Sequence, residues 1–254
     1  MGDSKRRLVL AVSGKGGVGK TTFAKLLTDL YHAAGTKADI YDADGQVGGL
    51  ARVYYDVGVN FYDLRQDSDR ATLLDSIDTS SNVILHDLPG GSRFEISKIL
   101  DDGDGASVAK FVEILGENGA RLTLVHLVDN GIEAAQSVGQ YLDVFGTDDV
   151  DHVAVLNMRE SKSSADFPYW SGYEVDGVRK YGKARDRLLA AGGVEIAMPG
   201  LHVVARAKVD AMNLKYSDCA RQRDLTLTER ALVSQFVKGF GKAVEPAKPL
   251  LGLA

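Results

Sequence analysis

Ten residues, SGKGGVGKTT at 13–22, hold four glycines, two lysines and two threonines directly behind an apolar run. Their spacing, Gly14-x-x-x-x-Gly19-Lys20-Thr21, is that of a loop built to hold phosphate. Backbone N–H groups must converge on phosphate oxygens, and side chains at Gly14, Gly16, Gly17 or Gly19 would obstruct that approach. Lys20 is placed to reach the β- and γ-phosphates, and the Thr21 hydroxyl to ligate Mg²⁺. Val18 and Thr22 belong to the same nucleotide-contacting run. The motif needs a strand before it and a helix after it, because the helix N-terminus adds unpaired N–H groups and a favourable dipole. Residues 7–13 (RLVLAVS) read as that strand and residues 19–34 as that helix.

Carboxylates recur at the ends of other apolar runs. YDADGQ (41–46) closes one with Asp42 and Asp44. In a regular strand these two share a face, so a local bend is needed if they are to do different work. A pair of this kind also serves simply to cap a turn. HDLPGG (86–91) closes another, delivering Asp87 to the same edge, where a carboxylate holds Mg²⁺ through water. Gly90, three residues on, can offer its N–H to a γ-phosphate. LNM (156–158) and AMPG (197–200) close two further runs with Asn157 and Pro199.

Lys15 is not needed by the loop's own chemistry. With it, KGGVGKTT resembles the deviant Walker A motif of the ParA/MinD family of P-loop ATPases. The resemblance implies that Lys15 contacts nucleotide across an ATP-dependent homodimer and joins Lys20 and Asp44 in catalysis. It makes Asp44 the switch carboxylate that orients attacking water or Mg²⁺-bound water, within a segment similar to the family's D-x-D-x-Q. Gly45 departs from the family, which commonly has proline there. Asp87-x-Pro-x-Gly resembles the second switch of MinD-type proteins, and Asn157 and Pro199 match the residues that recognise and pack on adenine. Thr21, Asp44 and Asp87 are then the Mg²⁺ set. No N-K-x-D run follows the strand at 152–158, which disfavours a guanine-specific enzyme and favours ATP. The VDNG segment (128–131) and the aromatic insert resemble the TraL-type conjugation and plasmid-stability branch.

These residues need a frame. RLVLAVS (7–13), ADIYDAD (38–44), NVILHDLP (82–89), RLTLVHLVD (121–129), HVAVLNM (152–158) and VEIAMP (194–199) are short, Val/Ile/Leu-rich and nearly continuous in apolarity, as strands covered on both faces are. Helical patterns at 19–34, 105–117, 131–145, 180–191 and 226–244 alternate with them. The expectation is one α/β domain over 1–244, a doubly wound, mostly parallel sheet with helices on both faces. Residues 159–179 break the pattern and read as an inserted loop, in which Trp170 and Tyr173 offer either a partner patch or packing over the body. Residues 245–254 read as a loosely held tail. The stripe Leu232, Val233, Phe236, Val237 and Phe240 reads as core rather than as a membrane-targeting face.

The chain has 254 residues and a net charge of −5, which excludes a whole-protein basic field for nucleic acid. Residues 201–254 nevertheless hold nine lysines and arginines against five acidic residues. Arg206, Lys208, Lys215, Arg221 and Arg223 could therefore form a local face for nonspecific DNA. Cys219 is the only cysteine, so neither an internal disulfide nor a Cys-x-x-C cluster site is available. The five histidines lack metal-ligand spacing, and His86 and His126 read as core residues. No apolar run is long enough to span a bilayer, and MGDSKRR fits neither a signal peptide nor a myristoylation site, so a cytoplasmic protein is expected. Three function classes follow: a partition or positioning ATPase on DNA, an ATPase that regulates a protein partner such as transfer machinery, or a metabolic P-loop enzyme.

Overall fold

β1 (Arg6–Val12) buries both of its faces. Val9 and Ala11 enter one apolar cluster, while Leu8, Leu10 and Val12 enter another on the opposite side. The computed structural model describes residues 6–45, 48–100 and 107–253. Beside β1 lie β4 (Val83–Asp87) and β5 (Ala120–Val128), both parallel to it. β2 (Ala38–Asp42) and the short β3 (Asn60–Phe61) extend the sheet on one side, and β6 (Val150–Asn157) and β9 (Val194–Met198) on the other. The order is β3-β2-β4-β1-β5-β6-β9, parallel throughout, which makes the chain a single α/β domain.

Helices cover both faces, as the two-sided burial of the strands demands. On the first face α1 (Lys20–Ala34) buries Phe23, Ala24, Leu27 and Tyr31. The Phe23 ring meets Phe240 of α9 (Leu227–Ala243) edge-on at 5.7 Å. Each such ring contributes about 1.5–3 kcal/mol by leaving water. Val233, Phe236 and Phe240 are buried, so the α9 stripe is core as expected. α9 starts at a capping box in which Thr226 and Glu229 satisfy each other's backbone N–H groups. On the second face α4 (Ser107–Glu117) buries Val108, Phe111 and Leu115. α5 (Ile132–Phe145) contributes Val138 to one cluster and Tyr141 to the other.

The six expected strands and five expected helices are present, with ends displaced by up to three residues. Residues 105–106 of the expected helix at 105–117, and Gln46 of YDADGQ, lie outside the described residues. The helix expected at 180–191 starts later, as α7 (Lys183–Ala190), because the chain first forms a hairpin of β7 (Tyr173–Val175) and β8 (Val178–Lys180). The insert therefore has structure of its own, including α6 (Pro168–Ser171). Trp170 is buried, and its Nε1–H donates to Glu195 Oε2 at 2.7 Å, so it packs on the body; Tyr173 stays partly exposed. Four short helices carried too weak a pattern to read: α2 (Thr72–Asp75), α3 (Arg93–Ser97), α6 and α8 (Val203–Ala211).

The expected loose tail is a correction. Residues Glu245–Leu251 form a 3₁₀ segment whose Ala247 and Leu251, with Leu253 beyond, enter the first cluster. The buried Tyr31 hydroxyl donates to Leu251 O at 2.6 Å, and Thr123 Oγ1 donates to Leu250 O at 2.7 Å. Two prolines in ten residues look like a disordered end, but they sit among apolar residues that the sheet's lower edge can bury.

Candidate functional site

The connection leaving β1 runs toward one edge of the sheet and that leaving β4 toward the other, so their carboxyl ends open a crevice. Register decides what faces it. Ala11 of β1 and Asp42 of β2 are both partners of Asp87 on β4, between them. Ser13 through Gly19 then form the loop, and α1 starts at Lys20 with its N-terminus toward the crevice.

Gly19 caps α1 at φ +104°, a conformation that L side chains rarely adopt. A Cβ there would also lie 2.5 Å from the Asn157 amide nitrogen. Gly14 and Gly90 are crowded rather than twisted. A Cβ on Gly14 would meet Ser137 of α5 at 2.6 Å, and one on Gly90 would meet the Lys15–Gly16 backbone at 2.7 Å. The segment after Asp87 thus lies directly on the loop, and Gly91 N–H donates to Ser13 O at 2.9 Å. Nothing among the described residues crowds Gly16 or Gly17; Gly17 has φ +78°.

Lys20 is buried, and its ammonium donates to Ser13 Oγ at 2.9 Å and Lys15 O at 3.3 Å. Burial pushes its pKa down, against the pull of Asp87 and Asp44. Asp87 is fully enclosed, and desolvation together with the neighbouring Asp42 charge pushes its carboxyl up to about 7. The Thr21 hydroxyl hydrogen-bonds this carboxylate and Lys20 lies near it, both of which favour the ionised form. One carboxylate oxygen, Oδ1, is buried with no partner. An unpartnered carboxylate oxygen beside a threonine hydroxyl is a donor set that suits a hard divalent cation such as Mg²⁺. Among the described residues no group of three or more His, Cys, Asp or Glu converges as a metal site, so other ligands would have to come from phosphate and water.

Asp42 and Asp44 separate because β2 ends at Asp42. Asp42 is fully buried and accepts from the backbone N–H groups of Asp44, Leu50 and Ala51 at 3.2, 2.8 and 2.9 Å. It shapes the turn. Asp44 stays in the crevice, where Arg65 Nη1 donates to its Oδ1 at 3.1 Å.

Lys15 extends from the loop toward the end of β5, where its ammonium pairs with Asp129 Oδ2 at 3.0 Å and lies 3.9 Å from Glu133 of α5. Asn157 donates from Nδ2 to Val18 O at 2.9 Å and accepts at Oδ1 from Arg159 N–H at 3.0 Å. Both ends of its amide are therefore engaged with backbone, and it ties β6 to the loop. A cavity of about 310 Å³ opens beside it, lined by Thr22, Pro199, Arg206, Asp210, Tyr216 and Phe236 among others. Pro199 is braced from behind by α9, close to Gly239.

The expected basic face is broken up. Lys208 pairs with Glu229 at 2.8 Å, Lys215 with Asp56 at 2.6 Å, and Arg206 lines the cavity, leaving Arg221 and Arg223 exposed. His86 is a core residue between Tyr62 and Ser76, at 2.9 and 3.0 Å, and burial holds its pKa near 3. His126 meets His152 at 2.9 Å, likewise buried. Sequence reasoning missed Arg65, Asp129 as the partner of Lys15, and the Asp210–Tyr216 wall. Only Asp129 had a signal, being the last residue of a strand-like run.

A glycine loop between β1 and α1, a buried lysine at the start of α1 and a buried aspartate on the adjacent strand give the chain the P-loop fold. Among solved structures it is similar to the septum site-determining protein MinD of Pyrococcus horikoshii in complex with Mg-ADP, at TM-score 0.51 and 17% identity, covering 95% of this chain and 97% of that one. It is similar also to the McdA(D38A)–ATP complex of Cyanothece, at TM-score 0.51 and 13% identity, covering 99% of this chain and 98% of that one. No protein-family model and no curated protein matches the chain. At these identities the likeness is one of fold. No helix among the described residues is long and apolar enough to cross a membrane.

Proposed function

We propose that this protein is a Mg²⁺-dependent ATP hydrolase of the ParA/MinD type, which dimerises on Mg·ATP and is released by slow hydrolysis. The observation that carries the reading is the unpartnered, buried Asp87 oxygen beside Thr21 and Lys20 at the foot of the glycine loop. Thr21 would hold Mg²⁺ directly and Asp87 through water, and the chemistry supplied there would be neutralisation of phosphate charge. Lys20 would bind phosphate, Gly90 would offer its N–H to the γ-phosphate, and Asp44 would orient water. The complexes of the two fold neighbours, with Mg-ADP and with ATP, support the choice of ligands.

The adenine would enter the cavity beside Asn157 and Pro199, with Asp210 available to accept a hydrogen bond. ATP is expected to outcompete GTP by about tenfold or more, the worth of one or two discriminating hydrogen bonds. Competition binding measures this, and equal affinities would remove the assignment of the base.

Lys15 acts in trans in this reading, leaving Asp129 for the partner's phosphates. Lys15→Ala is expected to keep ATP binding by the monomer but to lose ATP-dependent dimerisation and hydrolysis. Asp44→Ala is expected instead to hold the ATP dimer and turn it over only at a low residual rate. Light scattering with Mg·ATP separates the two, and a Lys15→Ala protein that dimerises and hydrolyses normally would reduce Lys15 to a surface lysine.

The cycle would serve partition, positioning or conjugal transfer. The ion pairing of Lys208 and Lys215 favours a protein partner over DNA at the C-terminal face, because a phosphate backbone would first have to displace Glu229 and Asp56.

A further inference from the structure

We propose that Arg65 is a positioning residue for ATP hydrolysis, and that position 45 is glycine so that the segment carrying Arg65 can close on the Asp44 carboxylate. The proposal rests on the role given to Asp44 above.

The segment is bolted to the end of β2. Beyond β3, Tyr62 N–H donates to Asp42 O at 3.1 Å and Leu64 N–H to Ala43 O at 3.2 Å, continuing the ladder past the regular strands. Tyr62 and Leu64 are buried in the second apolar cluster, and strand alternation therefore turns Asp63 and Arg65 the other way, toward the crevice. The turn that follows is tied from both ends. Arg65 N–H donates to Asp63 Oδ1 at 3.1 Å, and Asp63 N–H to Asp69 Oδ2 at 3.2 Å. Arg70 then reaches Glu95 on α3 at 2.9 Å, joining this segment to the helix that follows Asp87.

Gly45 is where the two segments touch. A Cβ there would lie 2.3 Å from Asp63 Cβ and 3.0 Å from Asp63 Cα, so any side chain pushes the segment away. The Arg65 guanidinium, 3.1 Å from Asp44 Oδ1, is also close enough to oppose the charge of Lys20. The Arg65–Asp44 pair is partly exposed, with side chains at 36% and 28%, so its worth to folding is small and its effect is to fix the carboxylate. In hydrolysis water adds to the γ-phosphorus as the bond to the bridging β-phosphate oxygen breaks. The products are ADP and inorganic phosphate, and the displaced proton passes to solvent. Arg65 makes and breaks no bond; it holds the group that orients the water.

The test is steady-state hydrolysis of Mg·ATP by the full chain and its variants, with melting curves to confirm folding. Arg65→Ala is expected to lower kcat about 10- to 100-fold, the scale of a misplaced catalytic group, with KM changed by less than about threefold. Arg65→Lys restores part of the loss, and Gly45→Ala lowers kcat in the same direction. The double variant Arg65→Ala/Asp44→Ala is no slower than Asp44→Ala, because Arg65 acts only through Asp44. Native kcat in Arg65→Ala, or a further loss in the double variant, overturns the proposal while the wild type and Asp44→Ala leave the functional reading standing. A wild type that does not hydrolyse ATP overturns that reading, and this proposal with it.

Discussion

Lys20→Ala is expected to bind Mg·ATP about 100-fold more weakly or worse, since truncating one partner of a buried hydrogen-bonded charge pair costs ~2–5 kcal/mol. Its fold should survive. Among the described residues the Lys20 ammonium bonds only Ser13 and a loop carbonyl, and burial works against its charge. Removing it therefore takes a costly cation from the folded state together with two modest hydrogen bonds, and the variant should melt within about 4 °C of the wild type. Titration calorimetry with Mg·ATP, beside a melting curve, tests both halves. Native affinity would sink the assignment of the loop. A collapse in melting temperature would make Lys20 structural.

The second large effect is a pH dependence centred on Asp87. Its folded carboxyl titrates near 7, far above the ordinary range, with desolvation as the leading cause. Between about 4 and 7 the folded chain holds a proton that the unfolded chain has released, so stability falls as pH rises through that window. Above it the cost of a buried carboxylate is present in full, on the order of a few kcal/mol. A divalent cation needs the carboxylate ionised, so Mg·nucleotide should bind more tightly as pH rises through about 7 and should release a proton on binding. Asp87→Asn keeps the shape without the charge. It should melt above the wild type at pH 8 without ligand, lose the wild type's decline across the window, and lose stabilisation by Mg²⁺. Melting curves from pH 5 to 9 with and without Mg·ADP measure all three, and an unchanged slope in Asp87→Asn would assign the titration to another group. Asp42, also pushed upward by burial, is the first alternative, and the variant separates the two.

The C-terminal segment shows where local reading fails. Pro246 and Pro249 punctuate a stretch with no periodicity, yet Leu251 and Leu253 are buried because the lower edge of the sheet leaves an apolar surface there. Burial of this kind belongs to a distant partner, and no window of sequence contains it. The hairpin after Trp170 is similar: its strands are three residues each and exposed, so alternation had nothing to display.

The sequence by itself determined the parallel sheet with helices on both faces and the glycine loop between its first strand and first helix. It also set Asp87 at the end of an apolar run. These follow from short-range physics: strands buried on both faces must be apolar throughout, and a phosphate loop must be rich in glycine. Tertiary structure decided which of the remaining charges work together. Register set Asp42 against Asp87, and the end of β2 then turned Asp42 to the backbone and left Asp44 in the crevice. Chain segments far apart in sequence brought Arg65 to Asp44, Asp129 to Lys15 and Glu229 to Lys208. Ion pairing depends on a few ångströms between side chains that residue order does not fix, so the loop was legible in the sequence and its electrostatic setting was not.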